Sequence, residues 1–404
     1  MAEVPLHRDT KTGNPSQPRP CVVALVPECD ADRRVPITPE SAKALSDMGW
    51  QVCVPKGLGD RCGYTDSEYE TSGASVRVSG QALLENVSVA LCVSLPSQAV
   101  ISTMPQGLIL AGFLDPFVQP SSINELAERR VSSLALELVP RTTIAQSMDG
   151  LSSQASLAGY AAVVLAASKL AKALPMMSTP AGTIKPARVL VVGTGVAGLQ
   201  AIATAVRLGA RVLAYDVRPT AKEQVESLGA KFAKIDLGET GETAGGYAKE
   251  LTAEQIHSQR LQLTKLCAES DIVITTAQIF GRPAPRIITT EMVRAMKPGS
   301  VIVDAAIATG GNVELVESGK EIEFEGVTII GDPYLPSRVA RDASRVLASN
   351  LASLIKHVID PATMSLKNLS TDEILANVLL THEGAIRDQR IQKLVAQTPN
   401  GGAA

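Results

Sequence analysis

No block of basic residues occurs anywhere in the 404-residue sequence: 38 Lys and Arg stand against 41 Asp and Glu, for a net charge of -3. So even a balance excludes the electrostatic footprint of a nucleic-acid-binding surface. The six cysteines (Cys21, Cys29, Cys53, Cys62, Cys92 and Cys267) never fall as C-x-x-C, and the four histidines (His7, His257, His357 and His382) are far apart. Neither a disulfide framework nor a zinc site is expected from that spacing, which makes the cytoplasm the expected compartment. An unbroken apolar span is missing too. The most apolar helical run, Leu157 to Met177, is interrupted by Lys169 and Lys172 and rich in alanine, which suits a helix buried in protein better than one in lipid. Residues 1–20, MAEVPLHRDTKTGNPSQPRP, have no apolar core and read as a disordered leader rather than a signal peptide. Residues 398–404 read as a loose tail.

What is present is a chain long enough for two cores, with 45% hydrophobic residues to fill them. Its organising stretch is Arg188 to Asp216. Val189 to Val192 is apolar on both faces, as a parallel strand covered by helices must be. Gly193, Thr194, Gly195, Val196, Ala197 and Gly198 then spell G-x-G-x-x-G. Gly193 allows the sharp turn, Gly195 lets backbone approach a pyrophosphate, and Gly198 lets the following helix pack close to the sheet. That helix, from about Val196 to Leu208, aims its positive end at the phosphates. Asp216 closes the next strand where a carboxylate accepts hydrogen bonds from an adenosine ribose diol, which argues for NAD; Val217 and Arg218 follow, and Arg218 keeps NADP from being excluded outright.

Elsewhere apolar strands alternate with amphipathic helices. CVVALVPE, PESAKALSDMG, WQVCVPKG and TDSEYETSG form a first α/β unit. Strand-like runs follow at Val87 to Val93, Leu108 to Leu114 and Val131 to Leu138, with later ones at Ile272 to Thr275, Ser300 to Asp304 and Val327 to Ile330. The expected fold is α/β, two Rossmann-like doubly wound parallel-sheet domains separated by a cleft. Residues 21–145 with 346–397 make the first domain, discontinuous because the helix after Pro336 returns to it, and residues 146–345 make the NAD-binding domain.

Three further groups carry potential chemistry. The crossing segment ELVPRTTIAQSMDGLSSQASLAGY gathers Arg141, Gln146, Asp149, Ser152, Ser153 and Gln154, with a plain capped helix start as the competing reading. LGETGETAGGYAKEL is either a long connection or a lid bringing Gly246 and Tyr247 over the cofactor. Thr276 and Ala277 lie at a strand end that faces the nicotinamide half of a dinucleotide; Asp304 ends the next strand and either meets the cofactor or fixes the turn at Gly310 and Gly311. Arg34 lies near the first strand and could face the cleft.

Taken together, PRTTIAQSMDGLSSQASLAGY, VVGTGVAGLQAIATAVRLGARVLAYDVR, ETAGGYAKE, GRPAPRIIT with MKPGSVIVD, and PSRVARDAS resemble the NAD-binding component, domain I, of proton-translocating nicotinamide nucleotide transhydrogenase, in the family shared with alanine dehydrogenase. The resemblance runs from about Cys21 to Ile359. It implies that Arg141, Gln146, Asp149 and Ser152 cluster around the nicotinamide and that Tyr247 rides on a mobile loop. It also implies NADH as the bound nucleotide, NADP on a partner domain, and a polytopic membrane domain that couples hydride transfer to proton movement. The chain would then be cytoplasmic and peripheral to the inner (plasma) membrane through its partners. Two departures are visible: Ala308 and Thr309 stand where an acidic residue often precedes GGN, and Tyr334-Leu335 replaces an asparagine ahead of PSR. A homodimer is expected from the resemblance and from an apolar face on the helix Ser337 to Ile359. The alternatives are an alanine dehydrogenase-like oxidoreductase, which needs a proton donor where this chain reads AGFLDPF, and a non-catalytic NAD-sensing module.

Overall fold

The computed structural model describes residues 21–78, 81–235 and 252–397, apart from 361, 362, 364 and 370. The leader, the tail and the segment holding Gly246 and Tyr247 lie outside the described residues.

Strands β1 (Cys21–Ala24), β2 (Gln51–Pro55), β3 (Ala74–Arg77), β4 (Val89–Leu91), β5 (Ile109–Gly112) and β6 (Ser132–Ala135) pair in parallel in the order β3-β2-β1-β4-β5-β6. β7 (Met177–Thr179) and β8 (Gly182–Ile184) form a separate hairpin, exposed along both strands. The second sheet takes β9 (Arg188–Val192), β10 (Arg211–Tyr215), β11 (Lys231–Phe232), β12 (Ile272–Thr275), β13 (Val301–Asp304), β14 (Lys320–Phe324) and β15 (Val327–Gly331), in the order β11-β10-β9-β12-β13-β15-β14. Its strands run parallel except for β14, which is antiparallel to β15. Last, β16 (Leu379–His382) and β17 (Ala385–Ile386) return to the first sheet as an antiparallel edge beside β6. Both sheets therefore repeat one Rossmann order, with the direction of winding reversed between β1 and β4 and between β9 and β12. The central strands β1, β4, β5, β6, β12 and β13 are buried along their whole length, which is why, apart from Ser132 and Ser133 in β6, they read as largely apolar runs without alternation.

Two long helices join the halves. Gly150–Lys169 sends Ala161, Ala162, Val163, Leu165 and Ala166 into the second core. It lies so close to the helix after the glycine turn that a Cβ on Gly159 would stand 2.1 Å from the Ala197 carbonyl oxygen. By length and composition alone this helix could cross a membrane, yet 44% of its apolar window is buried inside the protein. It starts seven residues before the expected apolar run and ends at Lys169; residues 170–176 are not helical, and Met177 opens β7.

Helix Ala340–Val358 buries Leu347, Leu351, Leu354, Ile355 and Val358 in the first core. At about 1.5–3 kcal/mol per large side chain, that face contributes on the order of 10 kcal/mol at most. The apolar face of this helix thus packs within the chain, against the first core. A second surprise is that Cys21 and Cys53, on adjacent strands, bring their Sγ atoms to 3.4 Å, a contact the linear spacing conceals.

Candidate functional site

At the carboxyl end of β9 the three glycines separate by function. Gly193 has φ +92, and a Cβ there would lie 2.9 Å from the Ala277 nitrogen and the Thr276 Oγ1. A Cβ on Gly198 would come within 2.0 Å of the Gly193 carbonyl oxygen, so that position packs the helix Val196–Arg207 onto the turn. Gly195 differs from both: a Cβ there would meet nothing within 4 Å. The open space lies where the first-turn N–H groups of the helix have no partners within the helix, a cradle suited to a pyrophosphate.

Asp216 stands at the end of β10, its side chain 7% exposed. Thr194 donates to its Oδ2 from both N and Oγ1 at 2.8 Å. Arg218 donates from N and Nε to Oδ1 and from Nη2 to Oδ2, each at 2.9 Å. Burial alone would raise this carboxyl, but the hydrogen bonds and charge of Arg218 outweigh it and hold the group below its ordinary value. The carboxylate is ionised and already fully engaged, so any ligand hydroxyl reaching it would share or displace the Arg218 contacts.

Thr276 donates to the Gly193 carbonyl at 3.0 Å from Oγ1 and to the Val192 carbonyl at 2.8 Å from N. Ala277 is held by a residue the sequence reading did not single out. The fully buried Asn312 accepts from the Ala277 nitrogen at 3.0 Å and donates to the carbonyls of Ala277 and Pro285 at 2.8 and 2.9 Å. Asp304, also fully buried, takes the N–H groups of Ala306, Asn312 and Val313. Burial pushes its carboxyl up despite those three bonds. Of the two readings of Asp304, the turn-fixing one describes these contacts; the signal for Asn312 was the GGN behind a strand-ending acid.

In the crossing segment Asp149 caps the helix Gly150–Lys169, accepting from Ser152 N at 2.8 Å and Ser152 Oγ at 2.6 Å. The capping role does not withdraw these residues from the cleft. Arg141, Asp149 and Ser152 line one cavity of about 600 Å³ together with Glu137, Leu151 and Phe280. Gln146, exposed at the start of a short 3₁₀ turn, is not among the residues lining it, and neither is the glycine turn. Arg387, Asp388 and Arg390, from the segment after β17, also line it; nothing in their local pattern marked them as cleft residues. Arg34 faces inward but is committed: its Nε and Nη2 hold Asp32 at 2.8 and 2.7 Å, and its Nη1 donates to Gln154 at 3.0 Å.

Two Rossmann-ordered sheets, a glycine turn shaped for a pyrophosphate and a polar cavity at the domain crossing define a protein of the dinucleotide-binding, oxidoreductase-like class. Comparison with known proteins narrows this. Models of the alanine dehydrogenase/PNT N-terminal and C-terminal domains match residues 25–158 and 162–389, and the chain belongs to that family. It is 45% identical over 360 residues to the first part of the NAD(P) transhydrogenase alpha subunit of Rhodospirillum rubrum, covering 87% of this chain and 94% of that one. Its identity to the protein of the same name from Rickettsia prowazekii is 41%, covering 94% and 100%. The crystal structure of transhydrogenase from Sinorhizobium meliloti superposes with a TM-score of 0.79 at 41% identity, covering 92% of this chain and 99% of that one.

Proposed function

We propose that this chain is the NAD(H)-binding component of a proton-translocating transhydrogenase. A dihydronicotinamide bound here supplies a hydride to NADP⁺ presented by a partner domain, while a membrane partner couples the exchange to proton movement. The reading is carried by one observation: the cavity at the domain crossing gathers Arg141, Asp149 and Ser152, polar side chains suited to orienting a ring, and among the described residues no histidine lines it. Moving a hydride between two like rings needs no general acid, only position and exclusion of water. The glycine turn would hold the pyrophosphate, Asp216 the adenosine ribose, and Arg141, Gln146, Asp149 and Ser152 the orientation of the ring. The relatives are named as the opening portion of an alpha subunit, which fits a chain that works beside other subunits. A second copy is proposed as well, through Met176, Met177 and Ile184 at the exposed hairpin, with the assembly cytoplasmic and peripheral to the inner membrane.

The alanine dehydrogenase reading requires a proton donor and a carboxylate anchor. By the resemblance the donor is a histidine in the turn after β5, where this chain reads AGFLDPF, and Arg34 is taken by Asp32 and Gln154. NADH with pyruvate and ammonia should give no oxidation, whereas NADH, NADP⁺ and an NADP-binding partner domain should give rapid exchange. Pyruvate-dependent turnover by the lone chain would replace the proposal with the alternative.

A further inference from the structure

Glu137 lies just past β6, in the short turn Leu136–Leu138, and lines the cavity beside Arg141, Asp149 and Ser152. Its Oε1 receives the backbone N–H groups of Leu114 and Asp115, both at 2.7 Å. Its Oε2 is buried without a hydrogen-bond partner. In the turn it grips, Asp115 takes φ +44. Two residues on, Phe117 meets Phe280 from the loop after β12 edge-on, with ring centroids 5.3 Å apart. The Arg390 guanidinium covers Phe117 at 5.1 Å while paired with Asp388. The carboxyl ends of β5 and β12 thus touch across the cleft through two rings, and one buried acid holds the nearer ring's turn.

We infer that Glu137 is a positioning residue for the exchange: by gripping the turn after β5 it sets Phe117 against Phe280 and fixes the width of the cleft beside Arg141, Asp149 and Ser152. The inference rests on the proposed hydride exchange, because only a reaction that depends on ring distance would feel that width. The grip is also proton-dependent. Burial first, and then the Asp115 carboxylate, push Glu137 up to about 8, more than the two N–H bonds lower it. The other groups facing this region are the Cys92 thiol, Arg34 acting on Asp115, and the cavity residues Arg141, Asp149, Arg387, Asp388 and Arg390. Below the transition the neutral acid accepts both N–H groups; above it those bonds strengthen, but the buried charge repels the Asp115 carboxylate, a larger effect than either bond, and drives the turn away.

The test uses the full chain with Cys29→Ser and spin labels on Val118→Cys and Arg282→Cys, reading the distance across the cleft as pH is raised, with NADH affinity and transfer rate measured in parallel. The parent should show a narrow distance distribution near neutrality that broadens above about pH 8. Glu137→Gln, neutral and isosteric, should stay narrow and lose the alkaline fall in transfer rate. Glu137→Ala should be broad at every pH, with transfer slowed about tenfold and NADH affinity changed less than about threefold. A Glu137→Ala protein with the parent's distances and rate, or a Glu137→Gln protein keeping the alkaline limb, would overturn the inference. Absence of any exchange by the parent would instead overturn the proposed function, leaving the distance measurement to decide on the grip.

Discussion

Replacing Asp216 by Ala should narrow the preference for NADH over NADPH, and the structure sets how far. The two carboxylate oxygens already take five donors, two from Thr194 and three from Arg218, which exhausts about four lone-pair sites. A ribose diol therefore exchanges with existing bonds instead of filling empty ones. The loss of NADH affinity should fall near the low end of the usual range for a polar contact, about 1–1.5 kcal/mol or roughly tenfold. NADPH should gain, since the variant removes a repelling carboxylate and ends its hold on Arg218. Stability must fall too. With Asp216 7% and Arg218 22% exposed, the pair lies between surface and buried limits, so breaking it should cost about 2–3 kcal/mol. Because the folded carboxyl titrates below its unfolded value, the contribution is complete above about pH 4 and is lost as pH falls through the folded pKa; Asp216→Asn should abolish that acid limb. Calorimetric titration of both nucleotides, paired with thermal unfolding, reads each quantity. Equal affinities in the parent, or an unchanged ratio in a well-folded variant, would refute the assignment.

Arg141→Ala or Gln146→Ala should slow hydride transfer far more than it weakens NADH binding, by stopped-flow with an NADP-loaded partner domain; unchanged rates in folded protein would return the segment to a linker. Gly195→Ala should keep the parent's melting temperature but lose NADH affinity, because its Cβ meets only open space, whereas Gly198→Ala should lower the melting temperature through its clash with Gly193. Sedimentation at micromolar concentration should give a dimer, and trimming residues 176–185 should give a monomer; a monomeric parent would contradict the paired assembly.

The fold was largely legible because parallel strands buried on both faces leave unbroken apolar runs. Ile272–Thr275 and Arg211–Tyr215 begin and end where periodicity places them. Short edge elements were not legible. β11 has two residues, β17 has two, and β14 alternates on a half-exposed edge, so none accumulates a pattern. At the site, local motifs survived and long-range supports did not. The glycine turn is written in consecutive residues, but Asn312 acts on Ala277 and Glu137 acts on Leu114, across 35 and 23 positions. Asp149 shows why the capping and functional readings could not be separated from sequence: it caps a helix and lines the cavity at once.

Two sheets with one strand order raise the question of why a chain should bind a single dinucleotide. In the second sheet the crevice beside β9 opens through a glycine turn. In the first, the equivalent turn after β1 reads LVPECDADRR, without glycine, and it is filled from elsewhere in the chain. Asp32, 1% exposed, takes Arg34 Nε and Nη2 and the hydroxyl of Ser337 at 2.7 Å, while Arg33 N donates to that same hydroxyl at 2.8 Å. Val35 N donates to Ser344 at 3.0 Å. The segment from Leu335 onward thus packs against the far end of this turn, and the Asp32 carboxylate, held ionised by Arg34 against its own burial, would repel a pyrophosphate there. The first half serves as a wall of the cleft, and NADH should bind once per chain. Isothermal titration of the full chain should give a stoichiometry of about one, unchanged in Ser337→Ala even if that variant is less stable. A second saturable NADH site, lost when Asp32 or Arg34 is replaced, would show that the first crevice opens and that its plug is a gate.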